Sequence, residues 1–221
     1  MRVIKIGDCR VSVGLCNLRC PYCVHLYEKT ENMDVEDIVN KLENCKSVYI
    51  GGAEPTVHGD LLDLLQELSK KGTEITLKTN GLLPDRLRMF LPFVHRYVFE
   101  IKGDFEDLDS VAALSGLSRE RAKKYTENLL ESIRIAKENG RKVRIWFRII
   151  PGYIDEMRFK KMMERIGKVD EILLYQFLSR PDWDKPVEGF EKPEFSFVKR
   201  LEEIAEKYAK KVMVIGDGGE R

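Results

Sequence analysis

The sequence has no long apolar run. Among its 221 residues, no stretch approaches the length of a membrane-spanning helix, and the opening residues, MRVIK, begin no apolar core of a secretory signal. The formal net charge is only +1, so the chain lacks the strongly basic surface of many nucleic-acid-binding proteins. We therefore expect a cytoplasmic protein with no membrane partner, and the charge balance does not indicate a nucleic acid.

Histidine and cysteine are both scarce. The three histidines are scattered, and no serine–histidine–acid set is legible, so no acid–base catalyst is predicted. An odd, clustered set of cysteines in a cytosolic chain favours metal or redox chemistry over a disulfide scaffold. No cysteine follows Cys45, so a second metal cluster in the C-terminal half is not expected. Cys9 and Cys45 stand apart from the other three and are expected to be buried free thiols.

Short apolar stretches alternate with helical patterns along the chain. Leu61, Leu64, Leu65 and Leu68 follow the i, i+3, i+4, i+7 pattern of a helix between two predicted strands. Strands are predicted at 11–13, 48–50, 75–77, 97–101, 143–150, 172–177 and 212–215. The alternation indicates an α/β fold with a parallel sheet and outer helices. The chain has about six strand–helix units, whereas a full barrel has eight. We therefore expect an incomplete (β/α)6 barrel, a partial TIM barrel.

Local signals mark the ends of several predicted helices. Ser118 is a good N-cap for a helix that ends near Gly140, and Asp155 is a good N-cap for the next one. The last helix is expected to extend to Tyr208 on its apolar face. We expect a single domain over 1–221, with a core at about 11–177 and a C-terminal helix and strand at 194–215.

The fifth predicted strand has two different faces. One row is apolar and suits packing under helices, whereas the other should face the barrel interior. The apolar row is Val143, Ile145, Phe147 and Ile149, and the interior row is Arg144, Trp146, Arg148 and Ile150. Because an unpaired buried charge is costly, the two arginines need anionic partners.

Residues 16–23 read CNLRCPYC, a C-x3-C-x2-C motif in the loop after the first predicted strand. Three thiolates on one loop can hold three irons of a cubane cluster and leave the fourth iron open. Zinc is the alternative, because His25 or Cys9 would complete a tetrahedral site with the same three thiolates. The motif alone leaves both interpretations open.

Small and polar residues follow three further predicted strands. They read GGAEPT at 51–56, TNG at 79–81 and EIKG at 100–103. Functional loops follow the C-terminal ends of parallel strands, so these segments and the cysteine motif should meet at one edge of the sheet. A turn of small residues also lets the backbone approach a ligand closely.

Together, CNLRCPYC and these strand-end segments resemble the radical S-adenosylmethionine (SAM) superfamily over about 11–177. The resemblance implies that Cys16, Cys20 and Cys23 hold a [4Fe–4S] cluster. It further implies that the cluster cleaves SAM reductively and that the resulting 5′-deoxyadenosyl radical abstracts hydrogen. It also implies an electron donor such as ferredoxin or flavodoxin.

The same resemblance implies a set of SAM-binding residues on successive strand ends. Tyr22 is expected to pack on the adenine, and Arg148 to reach the SAM carboxylate. Lys102 is expected to reach the SAM carboxylate or ribose. Gln176 is expected to bond the ribose or adenine, and Phe177 to pack on the purine. For Glu54 the alternative is to hold its turn together, and for Arg148 it is an ion pair with Glu100. The full set is Tyr22, Gly52, Ala53, Glu54, Pro55, Thr79, Asn80, Lys102, Arg148 and Gln176.

Within the superfamily, the chain looks most like the small glycyl-radical activating enzymes, which implies a glycyl-radical protein as partner. Lys78, Val111 and Phe177 depart from those enzymes. Lys78 is predicted to replace a cation that they hold near SAM, with an ion pair to a solvated carboxylate as the alternative. A small-molecule or nucleoside enzyme similar to deazapurine synthases, and a zinc-stabilised binding module, are the other hypotheses.

Overall fold

The structure is a computed structural model that describes residues 1–217 and 219–220. Its strands are β1 (Arg2–Gly7), β2 (Arg10–Val13), β3 (Glu31–Asn32), β4 (Ser47–Gly52), β5 (Glu74–Thr79), β6 (Arg96–Ile101), β7 (Lys142–Ile149), β8 (Val169–Gln176), β9 (Ala209–Gly216) and β10 (Gly219–Glu220). Its helices are α1 (Val35–Lys41), α2 (Leu61–Lys70), α3 (Pro84–Phe90), α4 (Leu108–Ser115), α5 (Arg119–Glu138), α6 (Glu156–Ile166) and α7 (Phe195–Ala205). A short 3-10 turn, Pro55–Val57, follows β4.

The strands form one sheet in the order β10-β9-β8-β7-β6-β5-β4-β2-β1-β3. Its central part is parallel and consists of β2 and β4 to β9, whereas β1, β3 and β10 pair antiparallel at the two ends. The predicted α/β fold, a parallel sheet with outer helices, is confirmed. The predicted strand at 212–215 is β9, which adds a parallel strand to the six expected units.

The predicted helix signals correspond to observed packing and caps. All four leucines of the α2 stripe are buried, as their spacing requires. Ser118 caps α5 by accepting a hydrogen bond from the Arg121 amide, and Asp155 caps α6 in the same way from the Arg158 amide. None of the helices in the described part of the chain combines the length and apolar composition needed to cross a bilayer.

Two parts of the helical prediction need correction. Helix α7 ends at Ala205, so Tyr208 lies in the following turn. The sequence patterns also do not predict α4, which is only eight residues long. Helix α4 is fixed by its ends, because Asp107 accepts from the Asp109 and Ser110 amides and Gly116 stops the helix at φ 69°.

The apolar core lies between the sheet and the helices. The predicted apolar row of β7 is buried there, and Ile150, just past the strand, joins this core instead of the interior row. The opposite face of β7 looks into the concave side of the sheet, where Trp146 packs with Tyr175. The concave side therefore carries the polar and aromatic residues that can form a site.

Cys9 and Cys45 form a disulfide, so the prediction of two free thiols is wrong. Cys9 lies in the turn between β1 and β2, and Cys45 precedes β4. Because β2 and β4 are parallel neighbours, their N-terminal ends meet, and the Tyr49 amide donates to the Cys9 carbonyl oxygen at 3.0 Å. The cysteine count could not show this proximity, which depends on strand pairing.

Candidate active site

The three remaining cysteines are free and lie on one loop after β2. Cys16, Cys20 and Cys23 line a cavity of about 630 Å³ on the concave side of the sheet. Burial raises the pKa of the Cys16 thiol to about 12 and also raises the pKa of Cys20. Because burial disfavours a free thiolate, thiolates here require a bound metal or cluster to stabilise them. Three such thiols on one loop fit the three-thiolate edge of an iron–sulfur cluster.

Asn80 links the cysteine loop to the end of β5. Its amide nitrogen donates to the Asn17 side-chain oxygen at 2.7 Å and lies 4.0 Å from the Cys16 sulfur. Its amide oxygen accepts from the Leu82 backbone at 3.0 Å. Asn80 and its neighbour Thr79 both line the cavity. The prediction that the segments after β2 and β5 come together is confirmed by these contacts.

Glu54 lies behind the cavity wall and holds two strand ends together. Its carboxylate accepts from the Thr56 amide and hydroxyl at 3.0 and 2.6 Å, from the Thr79 hydroxyl at 2.8 Å and from the Asn80 amide at 2.6 Å. Burial raises the pKa of Glu54, although these hydrogen bonds oppose the rise. Glu54 and Pro55 are buried and do not line the cavity, so the alternative role of Glu54, holding its turn, is the observed one.

Gly52 and Ala53 lie on the cavity wall itself. Gly52 has φ +93°, and a Cβ there would lie 2.6 Å from both the amide nitrogen and the carbonyl oxygen of Val13. The Ala53 amide donates to the Val13 carbonyl at 2.8 Å. Glycine is therefore required at position 52 because the turn runs against the backbone of β2.

A buried cluster of charged side chains surrounds Glu100 in the cavity. Its carboxylate lies 2.6 Å from the Lys78 ammonium and 2.5 Å from the Lys102 ammonium, and it also pairs with the Arg148 guanidinium. Arg148 pairs in addition with Asp184 at 2.6 Å. Burial opposes the charge on Glu100, but the three cations outweigh it and hold the pKa of Glu100 well below its usual range. The pKa of Lys102 is correspondingly raised.

The ion pairs of this cluster include the structural alternatives predicted for Arg148 and Lys78. Arg148 pairs with Glu100, the structural alternative to a direct contact with a ligand carboxylate. Lys78 also pairs with Glu100, but this carboxylate is buried instead of solvated as expected. The Lys78 ammonium lies 4.1 Å from the centroid of the Trp146 ring. Since all three cations line the cavity, each still faces the space in which a ligand would bind.

Tyr22 is the aromatic residue of the cysteine loop that reaches the cavity. Its ring is buried, with the Arg148 guanidinium 4.7 Å from its centroid and the Phe177 ring edge-on at 5.8 Å. Burial raises the pKa of its hydroxyl. Tyr22 therefore presents a rigid aromatic surface beside the charged cluster.

Gln176 and Phe177 do not lie where the resemblance implies. The Gln176 amide nitrogen donates to the Pro193 carbonyl at 2.8 Å, and its oxygen accepts from the Asp217 amide at 2.8 Å. Side chains alternate along a strand, so Gln176 points away from the concave side that its neighbour Tyr175 faces. Phe177 is buried in the main core. Neither residue lines the cavity, and both predicted ligand contacts are therefore wrong.

The loop after β8 supplies functional residues that sequence reasoning missed. Asp184 is buried, accepts from the Leu178 amide at 3.1 Å and pairs with Arg148. Trp183 lines the cavity and packs against Trp146 with 5.3 Å between ring centroids. The loop has no periodic pattern that would predict its position. The need of the interior arginines of β7 for acidic partners was the one sequence feature that indicated a residue such as Asp184.

The zinc alternative loses one of its two proposed fourth ligands, because Cys9 is in the disulfide. His25 lines the cavity with the three cysteines, and its Nδ1 pairs with the Glu28 carboxylate at 2.5 Å. Within residues 1–217 and 219–220, no three His, Cys, Asp or Glu side chains converge as they would around one metal ion. The three thiols along a wide cavity suit a larger group with several corners.

Comparison with known proteins agrees with this site. The profile of the radical SAM superfamily matches residues 11–166, which include the cysteine loop and every strand end of the cavity up to β7. The chain belongs to the radical SAM superfamily and is a radical SAM enzyme. Enzymes of this superfamily use SAM and an iron–sulfur cluster.

Two curated relatives come from Methanocaldococcus jannaschii, and both are named "Putative glycyl-radical enzyme activating enzyme". One is 23% identical over 207 residues, covering 90% of this chain and 85% of its own, and the other is 28% identical over 220 residues, covering 89% and 76%. A shorter match, 34% identical over 74 residues, is to the 7-carboxy-7-deazaguanine synthase of Haemophilus influenzae and covers 33% and 35% of the two chains.

Solved structures share the fold at low sequence identity. A domain of pyruvate-formate lyase-activating enzyme from Bacteroides vulgatus superposes with a TM-score of 0.61 at 18% identity, covering 76% of this chain and 98% of that one. SuiB of Streptococcus suis bound to precursor peptide SuiA gives 0.71 at 18% identity, covering 91% of this chain. The present chain spans 46% of SuiB, about half of that protein.

Proposed function

We propose that Cys16, Cys20 and Cys23 hold a [4Fe–4S] cluster and that the enzyme cleaves SAM reductively to a 5′-deoxyadenosyl radical. The observation that carries this proposal is the set of three free thiols on one loop at the wall of the large cavity. When bound, the cluster and SAM supply the electron transfer and the radical. The protein's own side chains would bind and orient these two groups.

The side chains around the cavity would bind SAM and fix its orientation. In the buried cluster, three cations face the two carboxylates of Glu100 and Asp184, which leaves one excess positive charge beside the cavity. This excess favours the carboxylate of SAM near Lys102 and Arg148. When SAM is bound, Tyr22 would offer a flat, rigid surface for the adenine, and the Gly52–Ala53 backbone would bind the amino group. Glu54 keeps that wall in place from behind.

The proposed hydrogen source is a glycine of a partner protein, as in a glycyl-radical activating enzyme. The two M. jannaschii relatives support this choice because each aligns over about nine-tenths of this chain. No additional cysteine is free to hold a second cluster in the described part of the chain. A single cluster suits an activase that only generates and delivers a radical.

The test is anaerobic reconstitution with iron and sulfide, followed by reduction in the presence of SAM. We expect 5′-deoxyadenosine to form in the wild type and to fall to background in C20A. The control is C9A/C45A, which removes the two cysteines outside the motif, leaves Cys16, Cys20 and Cys23 in place and should retain cleavage. A fully reconstituted, reduced wild type that forms no 5′-deoxyadenosine refutes the proposal.

The partner is tested by incubating the reduced enzyme and SAM with a co-purifying large protein. An organic radical on that protein, seen by electron paramagnetic resonance and dependent on Cys20, supports the activase.

A small heterocyclic substrate is the second candidate. The aromatic pair Trp146 and Trp183 on the cavity wall and the short match to a deazaguanine synthase favour it. Deuterium transfer from a labelled small heterocycle into 5′-deoxyadenosine, with no radical on any protein, would select this candidate.

A further inference from the structure

A second concave surface lies outside the cavity, between the start of α3 and the first turns of α5. We call it the basic groove, and it is lined by Leu82, Leu83, Leu117, Arg86, Arg121 and Lys124. Its volume is about 600 Å³, and its apolar members are only partly exposed, whereas Arg121 and Lys124 are exposed. None of the roles given above to cavity residues involves this surface.

The groove is connected to the cysteine loop through Asn80. The Leu82 amide donates to the Asn80 side-chain oxygen at 3.0 Å, and the Asn80 amide nitrogen lies 4.0 Å from the Cys16 sulfur. The floor of the groove is thus one side chain away from a proposed cluster ligand. An electron entering here needs to cross only this short, hydrogen-bonded path.

A second connection runs through Gly116, which precedes Leu117 in the groove. A Cβ on Gly116 would lie 2.3 Å from the Arg19 carbonyl oxygen, so the cysteine loop packs directly on this turn. The Arg19 amide also donates to the Ser115 carbonyl at 2.8 Å. Arg19 itself is exposed and adds its positive charge to the surface beside the groove.

The groove is locally basic although the whole chain is almost neutral. Its lining holds three cations, Arg86, Arg121 and Lys124, and one acid, Asp85, while the net charge of the chain is +1. None of the three cations has a carboxylate within ion-pair distance in the described part of the chain. Arg86 donates to the His58 carbonyl and lies 5.5 Å from the centroid of the Phe90 ring, so both of these partners are neutral. Apolar residues ringed by unpaired cations complement a partner with an acidic rim.

We propose that the basic groove is the docking site of an acidic one-electron carrier protein. This proposal rests on the proposed function, since it assumes a cluster on the three cysteines. In each encounter the carrier loses one electron and the cluster gains one, with no proton or bond exchanged. Arg121 and Lys124 attract the acidic face of the carrier, and Leu82 and Leu117 pack against its apolar centre.

The test compares two reductants on the reconstituted holoenzyme. One is a small acidic ferredoxin, kept reduced, and the other is dithionite, which needs no docking. In R121E/K124E we expect the KM for ferredoxin to rise about tenfold or more in the 5′-deoxyadenosine assay, because charge reversal removes steering. The dithionite-driven rate should stay within about twofold of wild type, because neither residue touches the cavity.

The matched control is K123E, on the same helix and exposed but outside the groove. It should keep the wild-type KM for ferredoxin. Raising the salt concentration should weaken ferredoxin-driven turnover in the wild type far more than in R121E/K124E.

Equal KM values in R121E/K124E and K123E would overturn the docking proposal. So would a variant that accepts electrons normally but loses activation of a protein substrate, which would assign the groove to that substrate. A wild type inactive with both reductants would refute the proposed function instead.

Discussion

Glu54 and Glu100 are two buried carboxylates of one site, and their pKa values are shifted in opposite directions. Glu54 has only neutral donors around it, so burial raises its pKa. Glu100 has three cations, and these lower its pKa in spite of burial. Glu54 therefore joins the ends of two strands by hydrogen bonds, and Glu100 neutralises part of the charge of the three cations around it.

E54Q tests the structural role of Glu54. A glutamine keeps one acceptor oxygen but turns an amide group toward a donor, so at least one buried donor loses its partner. We expect the free energy of unfolding to fall by about 1–3 kcal/mol, measured by urea denaturation. E43Q, an exposed site in the same part of the chain, should have no measurable effect. An E54Q variant as stable as E43Q would contradict the role given to Glu54.

E100Q tests the charge cluster. Removing the central anion leaves three buried cations beside one carboxylate, and we expect a loss of about 3–5 kcal/mol at pH 7. The exposed pair of Glu67 and Lys70 is the control, and E67Q should cost less than about 1 kcal/mol. Denaturant unfolding measures both, and similar losses would show that the cluster contributes no more than a surface ion pair.

The low pKa of Glu100 also sets a pH dependence. The folded pKa is depressed, so its stabilisation is present above the unfolded pKa of about 4.3 and is lost as pH falls toward the folded value. Below about pH 4.5 the wild type should therefore lose stability faster than E100Q, by up to about 1.4 kcal/mol per pH unit. Parallel pH profiles of the two proteins would contradict the assigned pKa direction.

Among the elements, β4 depends on one residue, Gly52, for its exit from the sheet. Alanine at Gly52 would meet backbone atoms of Val13 at 2.6 Å and would adopt φ +93°. We expect G52A to lose about 2 kcal/mol or more, measured by thermal unfolding. Gly59 has open space and is the control, so G59A should stay within about 0.5 kcal/mol of wild type. If both variants melt together, the close approach of the turn to β2 is not a constraint.

The elements also show what local pattern can and cannot predict. The α2 stripe and the caps at Ser118 and Asp155 are short-range signals, and they were confirmed. The two faces of β7 were also predicted correctly as far as Ile149, since alternation is local, but Ile150 lies past the strand and joins the main core. Helix α4 was not predicted because its eight residues are too few and too weakly amphipathic to show a helical repeat of apolar side chains. Asp184, the partner of Arg148, was not predicted because the loop that carries it reaches Arg148 only once β8 has its place in the sheet.

In the candidate site, the sequence predicted which motifs come together, but it did not predict the contacts of their side chains. The cysteine loop and the strand-end segments meet as expected because parallel strands share one edge. Which of them face the cavity depends on strand register and on ion pairs between distant strands. Gln176 faces away for the first reason, and Arg148 is held by Glu100 for the second.

At the scale of the whole molecule, the disulfide joins two cysteines 36 positions apart and closes a covalent ring that contains the entire cysteine loop. A closed ring lowers the entropy of the unfolded chain, by an amount that grows with its length. We expect C9A/C45A to lose about 3–4 kcal/mol in unfolding free energy, measured anaerobically against the oxidised wild type. Wild type treated with a thiol reductant should lose the same amount. No difference among the three would show that the pair does not stabilise the fold.

The sheet ends on both sides in a strand of only two residues, β3 at one edge and β10 at the other. An open sheet, unlike a closed barrel, leaves two rows of unpaired backbone groups that can recruit strands from other molecules. Here β3 covers only Arg2 and Val3 of β1, and β10 covers only Ile215 and Gly216 of β9. The rest of the β9 edge begins with the exposed Lys210 and Lys211, and lysines on an edge strand disfavour pairing with another chain. The partial barrel can thus leave its side open for a substrate while charge, more than a covering strand, limits aggregation at this edge.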